Sequence, residues 1–503
     1  MDASENIAPR IFAVAATLGV AGDLLLRAVP WGINALVAAL LSSAAAWALA
    51  RRIRPIRSAA MWWVCGVVPL LAAVLAWRAS PQLALLAVFG VVVSLVAAAL
   101  AAHGRALARL GVLELIAGAA VTAVRTALGP CLLLGDVRRG DAGVSGRTRR
   151  ALAVLCGLLL AIPPLLVFGA LFAAADAAFA HVLAELAGVP LDQLVSHVVL
   201  IALFAWLAAG WLRWLTLDDG RWLPRDPVPG LTLGVVEVGV VLGAVALLFA
   251  AFLAVQFTYL FGGEALVRVT TGLTYAEYAR SGFFQLLAVA CLLVPLLLAA
   301  HALVRNADSG GRRVVRWLSA LLVVLVFVIL GSALVRLRLY TGAYGLTLQR
   351  LYAAAFMAWL AFVFLWLALT VLRDRANRFT AGAIVAGLAA ILILAAVNPE
   401  ARVVRANAAR AQHGAGFDQA YVRNALGADA VPALLAVLPR LVEADRCVTA
   451  WRLLKNWGGD ADAAQGGDWR SWNFGRWRAR RAVRDNAEML RRIACVPDQR
   501  APA

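Results

Sequence analysis

Eleven stretches of about twenty mostly apolar residues recur along this chain, and each is about the length a helix needs to cross the hydrocarbon of a bilayer. They are Ile11–Val29, Trp31–Leu49, Ala59–Trp77, Leu83–Ala102, Ala151–Ala174, Val195–Leu212, Leu231–Val255, Phe283–Val304, Trp317–Val335, Leu351–Leu372 and Thr380–Val397. Hydrophobic residues make up 63% of the 503 and charged residues 15%. An average soluble domain is about 45–50% apolar and about 25% charged. Too little polar surface remains to cover a soluble fold of this composition. A disordered chain and an ordinary cytosolic protein are therefore excluded. The expected fold is all-α, a polytopic helical membrane bundle of about eleven spans. The first run is the weakest, because Asp23 and Arg27 interrupt it. The leader MDASENIAPR does not read as a cleavable signal, having two acids against one arginine and no small-residue cleavage site after the apolar stretch.

The formal net charge is +19, and of the 47 basic residues only Lys455 is a lysine. In a soluble protein this balance would point to nucleic acid. Here the arginines lie mostly in short segments between apolar runs, where they report membrane topology, and no nucleic-acid partner is expected. One alternating set of segments holds 23 arginines, from Arg10 to Arg378, and the other set holds 7. The split predicts a cytoplasmic N-terminus and, with an odd number of spans, an outer C-terminal tail at an inner membrane. Residues 1–397 then form the transmembrane domain, with 103–150 as its longest cytoplasmic loop. Within that loop, Leu115–Val124 is apolar but too short to span, is bracketed by Glu114 and Arg125, and reads as an interfacial helix. The stretch GDAGVSGRT mimics a phosphate loop, but Asp141 stands where the first glycine belongs and Arg147 replaces the lysine.

Residues 398–503 are more polar and are expected to form a small helical domain on the periplasmic side. Asp429 reads as a helix cap near Pro432, and Gly458–Gly467 as a loop. Phe474–Ile493 reads as a strongly basic amphipathic helix, with Trp451, Trp457, Trp469, Trp472 and Trp477 nearby. Such a segment either lies on a membrane interface or belongs to a small tryptophan-anchored core. Cys447 and Cys495 are the only cysteines in this region. They are either a disulfide formed in an oxidising compartment or two buried thiols. The six cysteines show no C-x-x-C and no metal-ligand spacing.

Ionisable groups at membrane depth are costly and draw attention. Asp23 and Arg27, four apart on one face, form either an intramembrane ion pair or part of a relay. Glu237, His197 and His301 lie near span ends and read as interface or packing residues. Pro69, Pro163, Pro164 and Pro295 interrupt spans, where proline kinks a helix. Gly239 and Gly243 form a G-x-x-x-G, a sign of close helix packing. No metalloprotease, nucleophile-elbow or dinucleotide-binding pattern occurs. No catalytic residue, metal or cofactor is expected.

The densest polar signal lies in TYAEYARSGFFQ (274–285), RLRLYTGAYGLTLQRLY (336–352) and NPEARVVRAN (398–407). The topology places all three at the outer face, against the bias expected for Arg280, Arg336, Arg338, Arg350 and Arg402. Arginine forks suit phosphate or carboxylate. Arg280, Arg336 and Arg350, with Tyr340, Tyr344 and Glu277, therefore form either an anion site or an aromatic belt whose rim arginines touch lipid phosphates. The expected partners are the lipid bilayer and anionic lipid headgroups.

The same stretches, with GDLLLRAVPWGINAL (22–36), the continuation to Leu360, and DAVPALL (429–435), resemble the bacterial membrane-protein family catalogued as domain of unknown function 4173, related to 4153. The resemblance covers most of the chain and implies a multi-span inner-membrane protein with no established activity. It supplies no catalytic residues. Three functions follow. The first is a non-enzymatic regulatory, sensory or scaffolding protein. The second is a transporter or lipid-handling protein with an outer-face anion site. The third is an envelope enzyme holding a lipid phosphate, with Glu277 as the nearby base.

Overall fold

The computed structural model describes residues 7–53, 58–105, 107–140, most of 168–182, 191–223, 233–261, 283–304, 308–411, Tyr421, 426–459 and 468–495. They form an all-α bundle with no strand among the described residues. The long helices are α1 (Ile7–Leu26), α2 (Ile33–Ile53), α3 (Ser58–Trp62 continuing through Val68–Trp77), α4 (Pro81–Ala102), α5 (Val112–Gly140) and α6 (Leu191–Thr216). They continue with α7 (Val235–Phe261), α8 (Phe283–Leu303), α9 (Ser309–Tyr344), α10 (Leu348–Thr370) and α11 (Phe379–Val397). Smaller helices follow: α12 (Pro399–Ala411), α13 (Val431–Val437), α14 (Glu443–Trp457), α15 (Phe474–Asp485) and α16 (Ala487–Ile493). Among the described residues, eleven helices are long and apolar enough to cross a membrane. In α3, Pro69 has no N–H to offer the preceding turn. The helix widens there into a π turn over Trp63–Val67, and the Val68 N–H reaches back to the Trp63 carbonyl.

The long helices pack in two groups. In the first, α1 runs antiparallel against α6, with Ala15, Gly19 and Gly22 on the contact face. A Cβ at Gly19 would stand 2.6 Å from the Ile201 carbonyl oxygen, and one at Gly22 would stand 2.6 Å from the Phe204 ring. Small residues let the backbones approach this closely. Gly129 of α5 meets Gly210 of α6 in the same way, at 2.5 Å from the Gly210 Cα. The second group, α7 to α10, buries Leu242, Leu293, Leu297, Leu322, Val326 and Phe364 in one core. The end of α11 joins the groups, because Ala395 packs with Ala72, Leu83 and Ala87.

Two features differ from the sequence reading. The expected short helix over Leu115–Val124 is part of α5, 29 residues long. Its charges do not break it, because Arg125 pairs with Asp218 at 3.7 Å and stacks on Trp222. Both halves of α5 meet the same end of the bundle: Gly118 faces Leu100, Leu133 packs among Ile7, Leu49 and Leu212, and Asp136 pairs with Arg213 at 2.8 Å. The helix therefore lies across that end, although its length would allow a crossing. The run Ala151–Ala174 falls almost wholly outside the described residues. Second, Gly239 and Gly243 make no close packing: a Cβ at either would meet no described atom within 4 Å. Their neighbours Val236 and Val240 point outward.

Helices α12 to α16 pack around their own core of Val404, Leu434, Ala450, Leu453, Val483 and Leu490. Ala479, Val483 and Leu490 of α15 and α16 face that core, while Trp477 and Met489 stay exposed. The single helix expected over Phe474–Ile493 is broken at Asn486. Cys447 and Cys495 are joined as a disulfide, their Cα atoms 5.2 Å apart.

Candidate functional site

The C-terminal helices sit on the end of the bundle where α1, α3, α9 and α11 finish and α2, α4 and α10 begin. Each of these helix ends leaves main-chain groups without intrahelical partners, and polar side chains satisfy them across the junction. Arg78, just past α3, is 8% exposed. Its Nε donates to the Ala395 carbonyl at 2.7 Å and an Nη to that of Ala396 at 3.4 Å, closing the C-terminus of α11. Its other Nη lies 3.8 Å from Asp429 Oδ1, and its guanidinium stacks on Trp77. Asp429 Oδ2 accepts the Ala79 N–H at 2.7 Å. Asp429 thus does not cap the helix at Pro432: its carboxylate turns to the bundle, and Ala430 holds the cap position without a side-chain bond.

Asn473 binds the same corner. Its Nδ2 donates to the carbonyls of Leu75 and Arg78 at 2.7 and 2.9 Å, and its Oδ1 caps α15 by accepting the Arg476 N–H. Gly475 lies so close that a Cβ would stand 2.4 Å from Asp429 Oδ1. Asn398 takes a left-handed conformation at φ 54°, which asparagine tolerates. From there it donates to the Asp429 carbonyl at 3.0 Å and accepts the Ala401 N–H. Glu400, 1% exposed, accepts the Gly427 N–H at 3.0 Å. Burial, then the nearby Asp429 carboxylate, push its pKa up to about 7 against the pull of the Gly427 and Ala430 amides and Arg78. Burial also raises the Asp429 carboxyl, opposed by the Ala79 amide and Arg78. The Ser80 and Tyr352 hydroxyls, 3.4 Å apart, lie beside this cluster.

The residues expected to bind an anion divide. Arg350 stacks over the Tyr340 ring at 3.9 Å and donates to the Gly345 carbonyl. Tyr344 packs on Tyr340, with ring centroids 5.1 Å apart. Arg336 is buried on the packed face of α9 with Ile329 and Ala333, while Arg338 is exposed. Arg280 and Glu277 lie outside the described residues, as does most of the stretch that holds them. The α9–α10 link is further held by Asn407, which exchanges two bonds with the Leu346 main chain, and by Tyr421, whose hydroxyl accepts the Leu348 N–H. The arginines of this end are largely directed at carbonyls. Arg410 donates to Ala343 and Arg470 to Leu24.

At the same end, Asp23 is 2% exposed and pairs with Arg27 at 2.9 Å. It also pairs with His197 of α6 at 2.5 Å, and Arg27 reaches the Ser196 hydroxyl. His197 is thus a hydrogen-bonded packing residue, with Asp23 as its partner. Among the described residues no group of His, Cys, Asp or Glu could hold a metal. Among the described residues, the charged groups of the junction, Arg78, Glu400 and Asp429, are buried.

Sequence reading missed Arg78, Glu400 and Asn473. Arg78 ranked only as a loop arginine and Glu400 as part of a polar stretch. The available signal was that both flank helix ends, where main-chain groups need partners.

An all-helical bundle of this hydropathy defines the class: a multi-pass membrane protein. The chain belongs to the family described as domain of unknown function DUF4153, whose model matches residues 65–437. That is the related family of the likeness drawn from the sequence motifs. No curated protein and no solved structure matches the chain.

Proposed function

We propose that this is a non-enzymatic regulatory or sensory membrane protein whose C-terminal helical domain, residues 398–503, is a docked module released from the bundle end. The observation that carries this reading is the junction. Its charged side chains are spent on main-chain groups of the opposing element rather than lining an open site. Buried Glu400, with a pKa near neutrality, gives the clamp a graded response to local pH. In this reading the protein resides in a bacterial inner membrane, the N-terminus is cytoplasmic and the docked domain periplasmic. The arginine distribution supports that orientation.

The test is a spin-label distance between exposed Arg338 and Arg481, both replaced by labelled cysteine. The parent should give one narrow distance, and Arg78→Met should broaden it. A distance as narrow in Arg78→Met as in the parent would overturn the reading.

The stacking of Arg350 on Tyr340 favours a second reading, an anionic lipid headgroup site at this end. Single replacement of Arg280, Arg336 and Arg350 by glutamine should then lower retained anionic lipid. Retention equal to the parent in all three would leave the cluster an interfacial belt. The third reading, an envelope enzyme with Glu277 as base, draws no support from the closed junction.

A further inference from the structure

At the bundle end opposite the docked domain lies a cavity of about 760 Å³. It is bounded by the start of α5, the end of α8 below Pro295, the start of α9 and the link from α10 to α11. Leu298, Val315 and Phe379 make its depth apolar. Two cations, Arg312 and Arg316, and two carboxylates, Glu114 and Asp374, also line it. Arg316 is engaged with Asp374 at 2.5 Å. One oxygen of Glu114 accepts the Gly111 N–H at 3.1 Å. The exposed Arg312 guanidinium makes no ion pair among the described residues. Inside, Thr380 is 2% exposed, yet among the described residues its hydroxyl has no hydrogen-bond partner, and neither has Nε2 of His301. Buried polar atoms are rarely left this way unless a ligand or water completes them. The volume falls within the about 300–1,000 Å³ of small-molecule sites.

We propose that this cavity seats the headgroup of a membrane phospholipid that carries both a phosphate and a primary ammonium. Apolar depth beside charged groups at the helix ends matches the boundary between acyl chains and headgroups. The balanced charges select a zwitterion over a plain anion: with Arg316 spent on Asp374, an anionic headgroup on Arg312 would leave Glu114 without a cation, whereas a zwitterion brings its own. Arg312 is placed for the phosphate and the second oxygen of Glu114 for the ammonium. The Thr380 hydroxyl and the His301 nitrogen suit the ester oxygens.

The test is native mass spectrometry of the delipidated full chain with dihexanoyl phosphatidylethanolamine, phosphatidylglycerol or phosphatidylcholine. The ethanolamine lipid should be retained about tenfold better than the other two, as one charge-assisted contact allows. Glu114→Gln keeps the bond to Gly111 and should erase the preference. Arg312→Gln should lower retention of all three lipids. Equal retention of the three lipids by the parent overturns the proposal, as does parental selectivity in both variants. Displacement of the lipid by an equal concentration of O-phosphoethanolamine would assign the site to a free headgroup and also overturn it.

Discussion

Glu400 ties the junction to pH. Its pKa in the folded protein, about 7, stands above its ordinary value of 4.5, so the folded state holds its proton more tightly than the unfolded chain. Stability therefore falls as pH rises from near 4.5 to about 7 and levels off above, by an amount on the order of 3 kcal/mol. Thermal unfolding between pH 5 and pH 8 should show the decline in the parent and a flatter profile in Glu400→Gln. Identical profiles would contradict it. Removing Arg78 acts at any pH, because it strands the buried Asp429 carboxylate and two α11 carbonyls. Arg78→Met should cost about 3–5 kcal/mol, read as a lower unfolding midpoint in denaturant. These groups were hard to read in advance, since Arg78, Glu400 and Asp429 come from three distant segments and matter only once those segments meet. Asp23 and Arg27 were easier, because one helical turn sets their separation.

Among the elements, hydrophobic length made most spans legible: a run of apolar residues long enough to cross lipid admits few alternatives to a helix. The full length of helix α5 escaped because Glu114 and Arg125 look like boundaries until Asp218 and Trp222 are seen to hold Arg125. Glycine roles were also unreadable from spacing. The motif at Gly239 and Gly243 faces open space, whereas Gly210, part of no such motif, lets two backbones touch. A Cβ there would stand 1.8 Å from the Thr126 carbonyl oxygen. Gly210→Ala should therefore destabilise the detergent-solubilised protein by about 1–3 kcal/mol or more. Gly239→Ala should be neutral or stabilising by up to about 1 kcal/mol, from helix propensity alone. Equal melting temperatures for the two variants would contradict the packing described for α5 and α6.

For the whole molecule, α5 ends at the cavity end and α6 begins at the docking end. The arrangement predicts opposite labelling of single cysteines at Thr341 and Asn377 by a membrane-impermeant maleimide, scored against the unsubstituted parent. Modification of both from one side would contradict it. The 36-residue helix α9 runs without interruption from Arg312 at the cavity to Tyr340 beneath the docked domain. It is about 54 Å long, and a tilt of about 5° around its midpoint would move each tip by about 2 Å. One unbroken helix therefore connects the proposed lipid cavity to the seat of the docked domain, the geometry a lever between the two would need.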